Sequence, residues 1–561
     1  MTQSTQFHGG IRGAEVPRQS RMFEGRFGRM FRNLPAAQFN DADLVKLSDT
    51  EAMLSAPETD SAGRPIATPE TDNPPDGEEN FDIPAGYTYL GQFIDHDITF
   101  DPASSLDKLN DPEALTDFRT PRLDLDCLYG RGPDDQPYMY DPADMRKFFV
   151  GTPMSFNTKP SPNRDLPRFN KRALIGDKRN DENVIVSQLQ GAFQQFHNTM
   201  ADKLDQEGAP ASFADIQQAV RWHYQYVVLH DFLPRICGAS TIHQILPHLK
   251  NGQSIFDAPP RLNFYHWKND AFIPMEFSAA AYRFGHSMVR PIYRLNTELD
   301  MGGAKIGEDD SLAGRHLVFA GVSKRALNGF GTFPMEWAID WRLFFGEISR
   351  THFDKNRVQP SYKIDSSLVN PLGFLPEFSL IDKVLPVDRL TKENFQAPQN
   401  PGATTHNLAL RNLRRGAMMG LPSGQDVARA MGLTPLPPER ILIGKALHED
   451  GRFDAKPITE IAPNLGENTP LWAYVLAEAT AQWHEVVTNR GLTGSAANFV
   501  GTHLGPVGGR IVAETLIGLM LADGHSFLSQ NPKWLPTATR DGKSKSGYTM
   551  VDFLEFAGLL P

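Results

Sequence analysis

Residues 91–99 read Gly91-Gln92-Phe93-Ile94-Asp95-His96-Asp97-Ile98-Thr99, a histidine between two carboxylates with a glutamine four residues before it. Four residues make about one helical turn, so in a helix Gln92 and His96 share a face, and Asp95 and Asp97 flank it on opposite sides. Such a turn aims an imidazole and an amide into one cavity, with one carboxylate at its edge and one turned away. That layout suits acid–base work beside a bound cofactor and a cation. The same spacing also describes a surface charge cluster, so its meaning depends on the rest of the chain.

Downstream, Thr120-Pro-Arg-Leu-Asp-Leu-Asp126 alternates in type. In an extended segment Thr120, Arg122, Asp124 and Asp126 fall on one side. Three of the four carry side-chain oxygen, which suits a hard cation such as calcium once another carboxylate joins them; a solvated acidic edge reads the same way. In Gly176–Asn183, Arg179 and Glu182 lie three apart, on one face if the stretch is helical, as in a surface ion pair. Arg283 and His286 repeat that spacing within Tyr282–Ser287, where a lone histidine on an apolar helix also reads as a core residue.

Periodicity predicts helices over Val184–Leu204, Ala214–Phe232, Glu276–Pro291, Glu336–Phe353, Leu408–Met418, Gln425–Met431, Pro470–Asn489 and Val507–Leu521. Strand signals are few and short, so the class is mainly α. Residues 130–172 read as irregular, and 55–85 and 101–116 as loops or an extended wrap. Near the N-terminus Phe23, Phe27 and Phe31 recur every four residues among Arg21, Arg26, Arg29 and Arg32. That stripe reads as an arm docked on the body, or alternatively as a membrane-surface helix.

The 561 residues are 40% hydrophobic, enough for a large core, and carry a net charge of −11. The acidic balance argues against nucleic acid or an anionic membrane as partner. Two cysteines, Cys127 and Cys237, allow at most one disulfide. Met1–Gly10 has no apolar signal core and no uncharged run is long enough to span a bilayer. The expectation is a cytoplasmic protein, or one exported without a recognisable signal peptide.

Taken in order, several segments resemble the animal-type haem peroxidase (peroxidase–cyclooxygenase) superfamily, closest in character to its bacterial branch. They are Ile83–Asp97, Thr120–Gly130, Gly176–Asn183, Ala281–His286, Asn412–Arg415 and His503–Val512. The resemblance implies a mainly α, myeloperoxidase-like helical haem peroxidase domain with few short strands over residues 81–561, preceded by an arm and wrap over 1–80. It matches His96 to the distal histidine, Gln92 to its cavity partner, Arg179 to the distal arginine and His286 to the iron ligand. Asn412 matches the residue that accepts a hydrogen bond from that ligand, and Arg283 and Arg415 the propionate holders. Asp95 and Glu182 match the carboxylates that form esters with haem b. Asp97, Thr120, Arg122 through its carbonyl, Asp124 and Asp126 match a calcium site.

The chain departs from the family at Asn183, where myeloperoxidase has a methionine that makes a third haem link, and at Asp126, which replaces a serine. Gly416–Met419 lacks the acidic and histidine residues that often follow the proximal arginine, and the disulfides of the secreted members are missing. The activity implied is reduction of hydrogen peroxide to water through a ferryl haem radical, with halides, thiocyanate or phenols oxidised, as in a response to oxidative stress. The alternatives are a fatty-acid dioxygenase of the same superfamily and a non-catalytic haem- and calcium-binding structural protein. In the dioxygenases a radical-bearing tyrosine stands three residues before the proximal histidine; here Arg283 takes that position and Tyr282 is one residue off.

Overall fold

The computed structural model describes residues 25–50, 52–54, 58–59, 65–66, 77–100, 116–117, 119–208, 210–252, 254–299, 315–319, 326–373, 375, 407–447, 453 and 455–560. Arg21 and Phe23 of the aromatic stripe, most of 55–85 and most of 101–116 lie outside them.

The fold is mainly α. The Gly86–Ile98 helix, with only Gln92 and Asp95 partly exposed, runs through the centre of one large apolar core. The Glu79–Pro84 strand, paired antiparallel with Pro360–Tyr362, leads the chain into it. Gly86 marks a tight entry, because a Cβ there would stand 2.5 Å from the Phe344 carbonyl oxygen. Behind the helix lies Val184–Glu207, with Phe93 and Phe193 stacked at 4.4 Å. Asn183 caps that second helix, its side chain accepting from the Ile185 and Val186 amides. Leu408–Met418, Leu471–Asn489 and Pro506–Ala522 form the opposite wall, close to their predicted bounds. Phe213–Val227 continues into a π-turn, Val228–Phe232.

Four expectations fail. Glu276–Pro291 is not one helix: Met275–Ser278 is α, Ala280 breaks the run at φ −139° and ψ −78°, and Ala281–His286 is a 3-10 turn. The Arg283 guanidinium takes the Ser278 carbonyl at 3.0 Å, which closes the first segment. Glu336–Phe353 keeps only the Trp341–Leu343 turn. Trp337, Trp341, Phe344 and Phe345 are buried without an α-helix, and amides of Gln188, Asn296 and Asn163 bond the carbonyls of Trp337, Ala338 and Ile339. Those tertiary bonds replace the helical ones. Residues 130–172 are not structureless but hold short hairpins, such as Pro153–Phe156 with Lys159–Arg164, turned by Asn157 at φ 52°. Residues 120–126 are bent rather than extended, with Leu125 left-handed at φ 60°.

The described part of the arm opens with a strand, Gly25–Gly28, set between Ile273–Pro274 and Thr116–Asp117. Phe27 and Phe31 are buried, and Glu276 accepts from the Met30 and Phe31 amides at 3.0 Å each. Both cysteines are free and buried. No helix among the described residues is long and apolar enough to cross a membrane.

Candidate active site

A cavity of about 750 Å³ opens between the Gly86–Ile98 helix and the Ala281–His286 turn. Gln92, Asp95, His96, Arg179 and Glu182 line one wall, and Arg283, His286, Arg411 and Arg415 the other. Its size suits a large flat ligand.

On the first wall, His96 is buried and its Nδ1 lies 2.7 Å from Asn180 Oδ1. The Asn180 Nδ2 donates in turn to Gln190 Oε1 at 2.8 Å. With Nδ1 as the donor, Nε2 is left as an acceptor, 3.8 Å from Glu182 Oε1. Burial, and then the neighbouring Arg179 charge, push the His96 pKa down to about 3, so the ring is a neutral base.

Arg179 sits in the Lys178–Asp181 turn. Its Nη2 donates to the Thr99 and His96 carbonyls at 2.6 and 3.1 Å and to Asp177 at 2.8 Å. It therefore caps the C-terminal end of the histidine's own helix while lining the cavity. Asp177 also accepts from Arg119 at 2.6 Å. Burial alone would raise Asp177, but Arg179 and Arg119 hold it well below the usual carboxylate range. Residues 328–330 lie over this turn: the Gly329 and Phe330 amides donate to the Glu182 and Asp181 carbonyls, and a Cβ on Gly329 would collide with that backbone.

Gln92 Nε2 bonds Glu182 Oε1, and Gln92 Oε1 accepts from Asn183 Nδ2 at 3.2 Å. Asn183 thus both caps a helix and fixes the glutamine. Asp95 lines the cavity, its carboxyl raised by burial against the pull of Arg179 and Arg283.

On the second wall the 3-10 geometry brings residues three apart into line, so Arg283 and His286 face the same way. His286 is held neutral to about pH 3 by burial, then by Arg283 and Arg411. Asn412 meets it from the Leu408–Met418 helix, Nδ2 to Nδ1 at 2.7 Å, while Asn412 Oδ1 accepts from Arg283 at 3.0 Å. That is the reverse of the expected amide orientation. A metal at His286 Nε2 requires the proton on Nδ1, and so the amide turned over. Arg415 lies one turn further on, at the cavity wall. Tyr282 ties the two walls, its hydroxyl donating to the Gly91 carbonyl at 3.2 Å.

Behind His96, carboxylate oxygens of Asp97, Asp124 and Asp126 come within 4.8 Å of one another. Asp97 is wholly buried and neither of its oxygens makes a hydrogen bond of normal geometry, although the Leu125 amide and the Tyr224 hydroxyl face it. Burial, then Asp124, push Asp97 up to about 7. Thr120 Oγ1 joins the group, 2.8 Å from Asp124 Oδ2, and Arg122 is in the same loop. Buried carboxylates that raise one another's pKa are the donor set a divalent cation neutralises.

The residues expected from the sequence line the cavity or this carboxylate cluster, except Asn412, which stands behind His286, and Arg122, which shares the loop of Thr120, Asp124 and Asp126. Sequence reasoning passed over Asn180, Gln190, Asp177 and Arg119, which hold them in place, and Arg411. Only Asp177 and Asn180 fell in a stretch already singled out. Arg119 and Gln190 carry no periodic signal, because the fold brings them to Asp177 and Asn180, and Arg411 shows its place only in the cavity wall.

The family model described as "Animal haem peroxidase" matches residues 37–365. The chain is 28% identical over 139 residues to a dual oxidase of Drosophila melanogaster, 24% of this chain but 8% of that relative. The fold is similar to that of peroxidase A from Dictyostelium discoideum, with a TM-score of 0.53, 13% identity, and 95% and 93% of the two chains covered. A fatty acid alpha-dioxygenase of Arabidopsis thaliana gives a TM-score of 0.50 at 12% identity, over 94% and 78%.

Proposed function

Because this chain belongs to the animal haem peroxidase family, we propose that it is a haem-dependent peroxidase that reduces hydrogen peroxide and oxidises small donors. The observation that carries this reading is the pair of neutral imidazoles, His96 and His286, on opposite walls of one cavity. Haem b held there would supply an iron that binds peroxide and a ring that stores oxidising equivalents. His286 would ligate its iron, oriented by Asn412, and Arg283 and Arg415 would pair with its propionates. His96 Nε2 would take a proton from one oxygen of bound peroxide and return it to the other, which would leave as water. Arg179 supplies positive potential as that bond breaks.

Asp97, Asp124 and Asp126, with Thr120 and the Arg122 carbonyl, would hold one calcium ion and so brace the histidine's helix. Asp95 and Glu182 would form esters with two haem methyl groups after peroxide has removed two electrons and a proton from each. Asn183 offers no third attachment.

A steady-state assay with peroxide and a chromogenic phenol, extended to iodide, bromide, chloride and thiocyanate, tests the reading. Haem-loaded protein inactive with every donor would overturn it and leave a structural haem protein. One observation favours a second reading, fatty-acid dioxygenation: Tyr282 is in the cavity wall. Oxygen uptake with an unsaturated fatty acid and no added peroxide would establish that reading instead.

A further inference from the structure

A second cavity, of about 760 Å³, lies on the outer side of the entry to the Gly86–Ile98 helix. It is open to solvent, and Phe81, Asp82, Arg235, Glu347 and Arg350 stand in its wall. Tyr87 lines both this groove and the inner cavity, although the residue is only 1% exposed. Its hydroxyl donates to Asp231 Oδ2 at 2.6 Å. Asp231 is buried and belongs to the π-turn Val228–Phe232, a rare geometry that gathers at functional sites. The Arg235 Nε and Met550 amide also donate to that carboxylate, both at 2.9 Å, so it is fixed against the phenol.

We propose that Tyr87 is a redox-active residue that carries electrons from phenolic donors in the outer groove to the inner cavity. The proposal rests on the peroxidase reading, with peroxide as the oxidant. A buried phenol can give up an electron readily only if its proton has somewhere to go, and Asp231 is that acceptor. Tyr87 loses one electron to the peroxide-oxidised haem and its proton to Asp231, becoming a neutral phenoxyl radical. A phenol in the groove gives Tyr87 one electron, Asp231 returns the proton, and the donor leaves as its own radical with its proton released to solvent. Two such rounds consume one peroxide, so that hydrogen peroxide and two phenols yield two waters and two phenoxyl radicals. The groove suits a phenol: Phe81 and Tyr87 stand in its wall, and the Asp82 carboxylate, 57% exposed beside Arg350, can accept the donor's hydroxyl. Donors too bulky for the inner cavity thereby become substrates.

Haem-loaded protein is mixed with peroxide in the presence of a nitroso spin trap, and the adducts are mapped by mass spectrometry. Electron paramagnetic resonance is recorded in parallel without the trap. The expected result is an adduct on Tyr87 and a tyrosyl signal, both lost in Tyr87→Phe and diminished in Asp231→Asn, which keeps an acceptor oxygen but not the base. The ratio of turnover with dextran-bound phenol to turnover with iodide should fall at least tenfold in Tyr87→Phe. Adducts on other residues with none on Tyr87, or an unchanged ratio, overturn the relay. A wild-type haem spectrum unmoved by peroxide overturns the peroxidase reading itself, and the relay with it.

Discussion

His96 stands on a 13-residue helix, whereas His286 closes a six-residue 3-10 turn, and different structures hold the two imidazoles. Around His96 the restraints are polar and branch outward: Asn180 to Gln190, Arg179 to Asp177 and the helix carbonyls, Asp97 to the carboxylate cluster. Around His286 one amide holds the ring from behind and a set of cations faces the cavity, backed by a Tyr282–Phe277 stack and by Trp472, which donates to the Arg283 carbonyl. A wall that moves protons needs a fixed tautomer and a fixed direction. A wall that holds a ligand needs one donor atom, positive charge for its acidic groups, and apolar backing.

That contrast breaks most sharply under paired substitutions. His286→Ala should lose most of its haem, read as the ratio of haem to protein absorbance. His96→Ala should keep haem but slow the first peroxide-dependent spectral change about 10²–10⁴-fold in stopped flow. If His96→Ala reacts at the wild-type rate with haem fully bound, the two walls do not divide the work in this way.

Next in size comes the cation. Metal analysis should find about one calcium per chain, and chelation should lower thermal stability and haem retention together. An ion present at ~100 times its dissociation constant contributes about 2.7 kcal/mol. Asp97→Ala should do the same without chelator. Protein that is active yet free of tightly held calcium would leave the carboxylate cluster as a structural feature only.

Asn180→Ala sharpens the comparison further. It removes the acceptor that keeps the His96 proton on Nδ1, and losing such a bond costs about 1–3 kcal/mol, or roughly 5- to 160-fold in rate. The pH profile separates positioning from mere structure. Folded His96 titrates near 3 and an unfolded histidine near 6.5. Because the folded value is depressed, this group's contribution to stability is complete above pH 6.5 and is lost as pH falls towards 3. The peroxide-dependent step should therefore hold its rate from pH 8 to about 4 in the wild type, and Asn180→Ala should be slower across that range without gaining an inflection above pH 4, because burial and Arg179 still depress the ring and the lost bond had only raised it. A wild-type inflection at 6.5 would mean the ring is not buried in the way described.

The same division explains what could be read from the sequence. The Gly91–Thr99 stretch was legible because helix period alone groups Gln92 with His96, and Arg283 with His286 needed only a spacing of three. The Asn180–Gln190 relay joins two turns of chain that no periodicity connects. The span 336–353 carries Trp337, Trp341, Phe344 and Phe345 at helical spacing, but its carbonyls are taken by amides from three other segments. Local pattern records which side chains are buried, not which donors arrive from elsewhere to satisfy the backbone. Asn183 was noticed only as a departure, since its capping bonds and its hold on Gln92 depend on the fold.

The effect that is smallest at pH 5 lies in the backing of the His286 wall. Glu478, on the helix that also brings Trp472 to Arg283, is buried, and its Oε2 accepts from the Val507 and Gly508 amides at 2.9 and 3.3 Å. Those amides open the Pro506–Ala522 helix and favour the carboxylate, yet burial is the larger influence and pushes the pKa up to about 8. A raised folded value means that this group's stabilisation is complete below the unfolded pKa near 4.5 and is lost as pH rises through 8, at about 1.4 kcal/mol per pH unit. Glu478→Gln keeps an acceptor oxygen for the two amides and cannot ionise. Denaturant titrations at pH 5 should differ between wild type and variant by less than about 1 kcal/mol. Across pH 5 to 8 the variant should lack the part of the decline that Glu478 contributes, so the gap should close and then reverse in its favour. Parallel pH dependences would mean the carboxylate is ionised throughout and the helix N-terminus outweighs burial.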